Sequence, residues 1–190
     1  MSLSGAGKRR VHCRLQYDMM QRSKPHPQSL VCAAVLAAGL WAGAAQASVE
    51  RPWLGVVTHV SDGDTVWVQP LYGGEVHKVR LLGIDAPEIC QTWGPQSRMA
   101  LHDVLQGQTV EVLGHHRDTY GRLLAQLSRQ GHDVGAWMVA QGHAWSYSYQ
   151  QQAGMYDALQ MQAQGQRRGL FADPRAIPPR WFRKRFGACP

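Results

Sequence analysis

From Trp53 to Val60 the chain is apolar and β-branched, and after a turn at Ser61-Asp62-Gly63 it alternates again from Thr65 to Gln69, with Val66 and Val68 in phase. Gly73-Gly74 marks a loop within Pro70 to Glu75, and Val76 to Ile84 reads as a third strand, so the first three strands form a meander. Gly94-Pro95 then opens a helix to about Gln106, with Ala100, Leu101, Val104 and Leu105 on one face and Gly107 as its stop. Thr109 to Leu113 and Leu123 to Ser128 are a fourth and a fifth strand around a loop at Arg117 to Gly121, and His115-His116 just before it read as loop residues, since adjacent strand positions would point to opposite faces and not share a metal ion. A short helix is expected over Asp133 to Gln141, with Val134, Trp137 and Met138 on one face. A third is expected over Gln152 to Arg168, with Met155, Ala158 and Leu159 inward and basic residues in its last turn. Five short strands with a helix after the third predict an α+β domain, a small Greek-key barrel of OB type with about three helices packed on it.

The ends of the chain have another character. Leu30 to Ala45 is an alanine-rich apolar run, preceded by Arg22 and Lys24 and closed by Ala45-Gln46-Ala47, the small-x-small form of a signal-peptidase site. Residues 1–47 are therefore expected to be a leader, cut after Ala47, and Met19 or Met20 would start a leader of ordinary length. The run is short for a membrane span, and the alternative is an uncleaved anchor. The export reading places the mature protein in the periplasm or outside the cell, with no stable membrane association. Residues 48–173 then form one domain, large enough for a core of its own.

Net charge changes meaning once the leader is set apart. The whole chain carries +7, but six Lys/Arg and only Asp18 lie in the leader, which leaves 14 basic and 12 acidic residues, a net of +2. Overall basicity is thus poor evidence for nucleic-acid binding. Residues 174–190 form a tail in which Arg180, Arg183, Lys184 and Arg185 interleave with Trp181, Phe182 and Phe186. Such a tail either tracks a nucleic-acid strand by charge and stacking or extends over the domain with its aromatics packed on it, and the second reading is the blander. Cys90 and Cys189 remain after the leader, an even number in a chain expected to reach an oxidising compartment. They either pair, tying the tail to the loop after Glu88, or stay as free thiols.

Chemistry concentrates in VRLLGIDAPE, Val79 to Glu88. Arg80 interrupts an apolar strand that breaks at Asp85-Ala86-Pro87 into a turn ending on Glu88, and Pro87 restrains that turn. Two carboxylates and a guanidinium this close are costly to bury unless paired, bound to metal or open to a polar ligand. A second acidic turn, VSDGDTVWV, lies upstream, and RDTYGR, Arg117 to Arg122, lies downstream. Asp64 and Asp85 sit at strand ends without a cysteine or histidine nearby, which favours a hard cation held by oxygens.

With these three motifs in order, the stretch from Trp53 to Ala172 resembles the thermonuclease (staphylococcal nuclease-like) family. The resemblance implies the same barrel and a calcium-dependent nuclease acting on DNA and RNA, leaving 3′-phosphate ends. It implies Asp64, Asp85 and the Ala86 carbonyl as calcium ligands, and Arg80, Glu88 and Arg122 as catalytic residues. Tyr120 would lie beside bound nucleotide, with Tyr147 or Tyr149 as a second aromatic near the base. A monomer is expected. The rival is a non-catalytic nucleic-acid-binding module of the same fold, which would be expected to lose some of these five charged residues.

Overall fold

The alternating segments become hydrogen-bonded strands in a computed structural model of the protein, which describes residues 51–150 and 152–189. The leader, with its apolar run and cleavage site, lies outside the described residues. Strands β1 (Trp53–Val60), β2 (Thr65–Pro70) and β3 (His77–Leu81) form the antiparallel meander, and β4 (Ile84–Asp85) follows at once. Helix α1 (Gly94–Leu105) leads to β5 (Thr109–Arg117) and β6 (Leu123–Arg129), with β5 pairing back on β1. A parallel pairing of β3 with β6, Val79 opposite Leu123 and Arg80 opposite Leu124, closes these five long strands into a mixed barrel. Closure removes the sheet edges and fixes Arg80 beside the β5–β6 loop.

The period-2 pattern sends Val57, Val66, Val68, Val79, Val110 and Val112 into the barrel, where none is more than marginally exposed. Leu101 and Leu105 of α1 plug one part of this core, and Met138 and Val139 of α2 (Val134–Ala140) another. Asp133 begins α2: its Oδ1 accepts the Ala136 N–H at 3.0 Å, and its Oδ2 accepts the Tyr156 hydroxyl at 2.8 Å, pinning the next helix to this one. Two-residue strands β7 (His132–Asp133) and β8 (Trp145–Ser146), then α3 (Asp157–Gly165), a 3₁₀ turn at Gly169–Ala172 and α4 (Pro179–Phe186), complete the chain.

Four details differ from the sequence expectation. The third strand is two, because the chain turns at Gly83 with φ 79°, where glycine alone is unstrained, and β4 pairs with β8 instead of continuing along the barrel. His115 and His116 lie on β5 and not in a loop, exposed beside a register shift between Gly114 and His116. Helix α3 starts five residues late, since the Asp157 carboxylate accepts the Gly154 N–H at 2.8 Å and sets the first turn there. Met155 and Ala158 are consequently exposed, Tyr156 and Ala163 are buried, and Arg167 and Arg168 fall past the helix end. The tail is not extended: Pro179 at the first helical turn starts a fourth helix, α4.

Leu101 is fully buried between α1 and the barrel, so Leu101→Ala is expected to lower unfolding free energy by about 2–5 kcal/mol, measured by urea denaturation. A loss below about 1 kcal/mol would contradict this packing.

Candidate active site

Three turns meet at one end of the barrel. In the β1–β2 turn, Asp62 Oδ1 accepts the Asp64 N–H at 2.9 Å, and a side chain at Gly63 would collide with Ser97 Oγ, so glycine is required there. This leaves Asp64 buried and facing the turn after β4: its Oδ2 accepts the Ala86 N–H at 2.8 Å, and Thr65 Oγ1 donates to its Oδ1 at 3.1 Å. Arg80 lies between the two acidic turns, with Nη1 at 2.8 Å from Asp64 Oδ2 and Nη2 at 3.1 Å from Asp85 Oδ1. The same guanidinium donates to the Ile84 carbonyl at 3.1 Å. Asp85 is held in turn by the β4–β8 pairing, opposite Trp145.

Burial raises the Asp64 carboxyl above its ordinary value, with Arg80 and the Ala86 N–H pulling against the rise and Asp62 and Asp85 adding to it. Among the described residues no group of three or more His, Cys, Asp or Glu is gathered to hold an ion. What the site offers is two buried carboxylates from separate turns, an all-oxygen set that suits a hard cation with water and a carbonyl in its shell.

The loop between β5 and β6 brings the second arginine. Asp118 organises it: Oδ1 accepts the N–H of Tyr120 and of Arg122, each at 2.9 Å, and Oδ2 accepts Arg122 Nε at 2.8 Å. Burial works to raise the Asp118 carboxyl, and the hydrogen bonds from Arg122 outweigh it, leaving this acid below its ordinary value. Arg122 also lies over the Tyr120 ring, 5.4 Å from its centroid, while that ring is 83 % exposed and free to meet a ligand.

Asp64, Arg80, Glu88, Tyr120 and Arg122 all line one open cleft of about 600 Å³, with Lys78 at its wall. Asp85 and Tyr147 line an adjoining hollow of about 250 Å³ that shares Arg80 and Arg122 with the cleft. Two contributors were not singled out from the sequence. Asp118 stands four residues before Arg122 and anchors it. Arg183 of α4 reaches in from the tail, with Nη1 2.5 Å from Glu88 Oε1 and Nη2 3.4 Å from Asp85 Oδ2. Burial opposes the Arg183 charge, and the Glu88 and Asp85 carboxylates more than restore it, raising this guanidinium above its ordinary value. A disulfide joins Cys90 to Cys189, with Cα atoms 5.7 Å apart, and so ties the tail to the loop that follows Glu88.

Residues 78–173 match the staphylococcal nuclease homologue family, a span that contains Arg80, Asp85, Glu88, Asp118 and Arg122. The chain belongs to the staphylococcal nuclease family. It is 37 % identical over 132 residues to an endonuclease of Escherichia coli O157:H7, covering 69 % of this chain and 85 % of that protein. It is 38 % identical over 142 residues to a micrococcal nuclease of Shigella flexneri, covering 68 % of this chain and 80 % of the relative. A probable staphylococcal-like nuclease of Oryza sativa subsp. japonica is 33 % identical over 108 residues, 57 % of this chain and 33 % of the plant protein. This chain is accordingly a nuclease, and the barrel end just described is its candidate active site.

In this nuclease Asp118 fixes both the backbone and the side chain of Arg122. Asp118→Ala is expected to lower kcat on single-stranded DNA about 10- to 100-fold while the protein still melts cooperatively, since the cost falls on alignment. Unchanged kcat would show that Arg122 needs no such anchor.

Proposed function

We propose that this nuclease is an exported, calcium-dependent enzyme that hydrolyses the phosphodiester bonds of DNA and RNA with little sequence preference, leaves 3′-phosphate ends and acts as a monomer. The observation that carries the reading is the convergence of Arg80 from strand β3 and of Asp64, Glu88 and Arg122 from three separate turns on a single open cleft, with Asp85 paired to Arg80. Hydrolysis needs an activated water, neutralisation of charge on the non-bridging oxygens and a substrate held in line.

Glu88 takes the proton from the attacking water, being partly exposed at the cleft and set at the end of a turn that Pro87 stiffens. Arg122 presents its fork to phosphate oxygens from a loop that Asp118 has already ordered, so its charge is pre-aimed. Arg80 is engaged with Asp64, Asp85 and the Ile84 carbonyl, and from there it offsets charge at the cleft floor. Asp64 and Asp85, with the Ala86 carbonyl, would hold the calcium ion, which supplies Lewis-acid stabilisation of phosphoryl charge. Tyr120 offers an exposed ring for a base to stack on. Export is supported by the leader pattern ahead of Ala47 and by the disulfide, which suits an oxidising compartment. Among the described residues no helix is long and apolar enough to cross a membrane.

The test is digestion of single- and double-stranded DNA and of RNA by the purified protein with calcium, with magnesium and with a calcium chelator. Calcium-dependent cleavage is expected, lowered about 10²- to 10⁴-fold in Glu88→Gln and about 10³-fold or more in Arg122→Ala. N-terminal sequencing of the same protein, made in an exporting host, should begin at Ser48. Strand binding without cleavage under any metal would overturn the catalytic reading.

A further inference from the structure

Helix α4 is poorly anchored by its own packing. It has eight residues, of which only Pro179 is buried, and a helix so short does not hold itself together in water. Phe182 is half-buried against the domain, and Gln91 Nε2 donates to the Ile177 carbonyl at 2.8 Å just before the helix. Its far end is secured by Arg183, paired with Glu88 across 95 positions of sequence and with Asp85, and by the disulfide. They bracket the same place, for Cys90 comes two residues after Glu88 and Cys189 six residues after Arg183.

Among the described residues the cleft's other arginines pair with acids other than Glu88, while Asp85 is shared, with Arg183 Nη2 3.4 Å from its Oδ2. Arg80 lies on Asp64 and Asp85, and Arg122 on Asp118. Among the described residues Arg183 is the cation on Glu88, and it takes Oε1 alone, leaving Oε2 for a water. A glutamate on a turn has free torsions, and a charge-assisted hydrogen bond to one oxygen selects one orientation of the other.

We propose that Arg183 is a positioning residue for Glu88, and that the Cys90–Cys189 disulfide completes the active site by holding α4 over it. The inference rests on Glu88 acting as the base. Oxidation breaks two S–H bonds and forms one S–S bond, and the two electrons and two protons pass to a protein disulfide of the oxidising compartment, which becomes a dithiol. Before that exchange α4 is free to leave, Glu88 loses its partner, and the enzyme is slow. Oxidative folding thus brings the nuclease to full rate.

The experiment compares kcat and KM on single-stranded DNA, with calcium, for the purified full protein and for Arg183→Gln, Arg183→Lys, the Cys90→Ser/Cys189→Ser pair, that pair combined with Arg183→Gln, and Glu88→Gln. Arg183→Gln, which keeps the disulfide, is expected to lower kcat about 10- to 100-fold with KM changed by less than about 2-fold, and Arg183→Lys to recover part of the loss. The serine pair should also lose kcat, and adding Arg183→Gln to it should bring the loss no further than Arg183→Gln alone, since both act through the placement of Arg183. Thermal melts establish that each variant is folded. A faster Arg183→Gln enzyme would make the tail a plug, a raised KM at unchanged kcat would make Arg183 a phosphate contact, and a serine pair at full rate would sever the disulfide from the site. Each result overturns the proposal. Wild-type cleavage that Glu88→Gln abolishes and Arg183→Gln leaves alone overturns this inference and spares the functional reading. Full activity in Glu88→Gln overturns both.

Discussion

The active end of the barrel depends on one buried charge arrangement: the Asp64 carboxylate, bound at once by the Ala86 N–H and by Arg80. A carboxylate in that position is tolerable only because each oxygen has donors, and removing one partner of such a buried pair typically costs about 3–5 kcal/mol. The arrangement also has a mechanical role. It joins the β1–β2 turn to the turn after β4 across 22 residues of sequence, and through Arg80 it sets Asp85 beside them. The barrel makes this affordable by fixing Arg80 on a strand paired on both sides, to β2 and to β6.

Much of this arrangement was legible in the sequence. Valines at alternate positions specify the barrel strands, and β1 and the start of α1 fall where the pattern places them, because periodicity and a Gly-Pro start are local signals. The motif charges were visible for the opposite reason: Arg80 in an apolar strand and acids at tight turns break the pattern that burial demands. The structure gathers Asp64, Arg80, Asp85, Glu88 and Arg122 at one end of the barrel.

What could not be read was non-local or too short to have a period. The two-residue pairing of β4 with β8 has no alternation, yet it positions Asp85. Asp118 lay within the RDTYGR motif without a role of its own, and only the fold shows its carboxylate engaged with Arg122. Helix α4 has only eight residues, too few for a helical period to stand out, so its basic and aromatic residues read as an extended arm. The signal available was local, Pro179 at the first turn and Gly187 after the last. That Arg183 lands on Glu88 follows from contacts 95 residues apart, beyond any sequence window.

The site thus combines a rigid floor of acids and Arg80, a side wall organised by Asp118, and a roof supplied by the tail. The floor is central to the proposed chemistry, and calorimetric titration of the purified protein with calcium tests it most directly, beside an Asp85→Asn variant that still melts cooperatively. One calcium ion per chain, lost or greatly weakened in the variant, is the predicted result. No calcium binding by the wild type, or binding that Asp85→Asn leaves unaltered, would contradict the account.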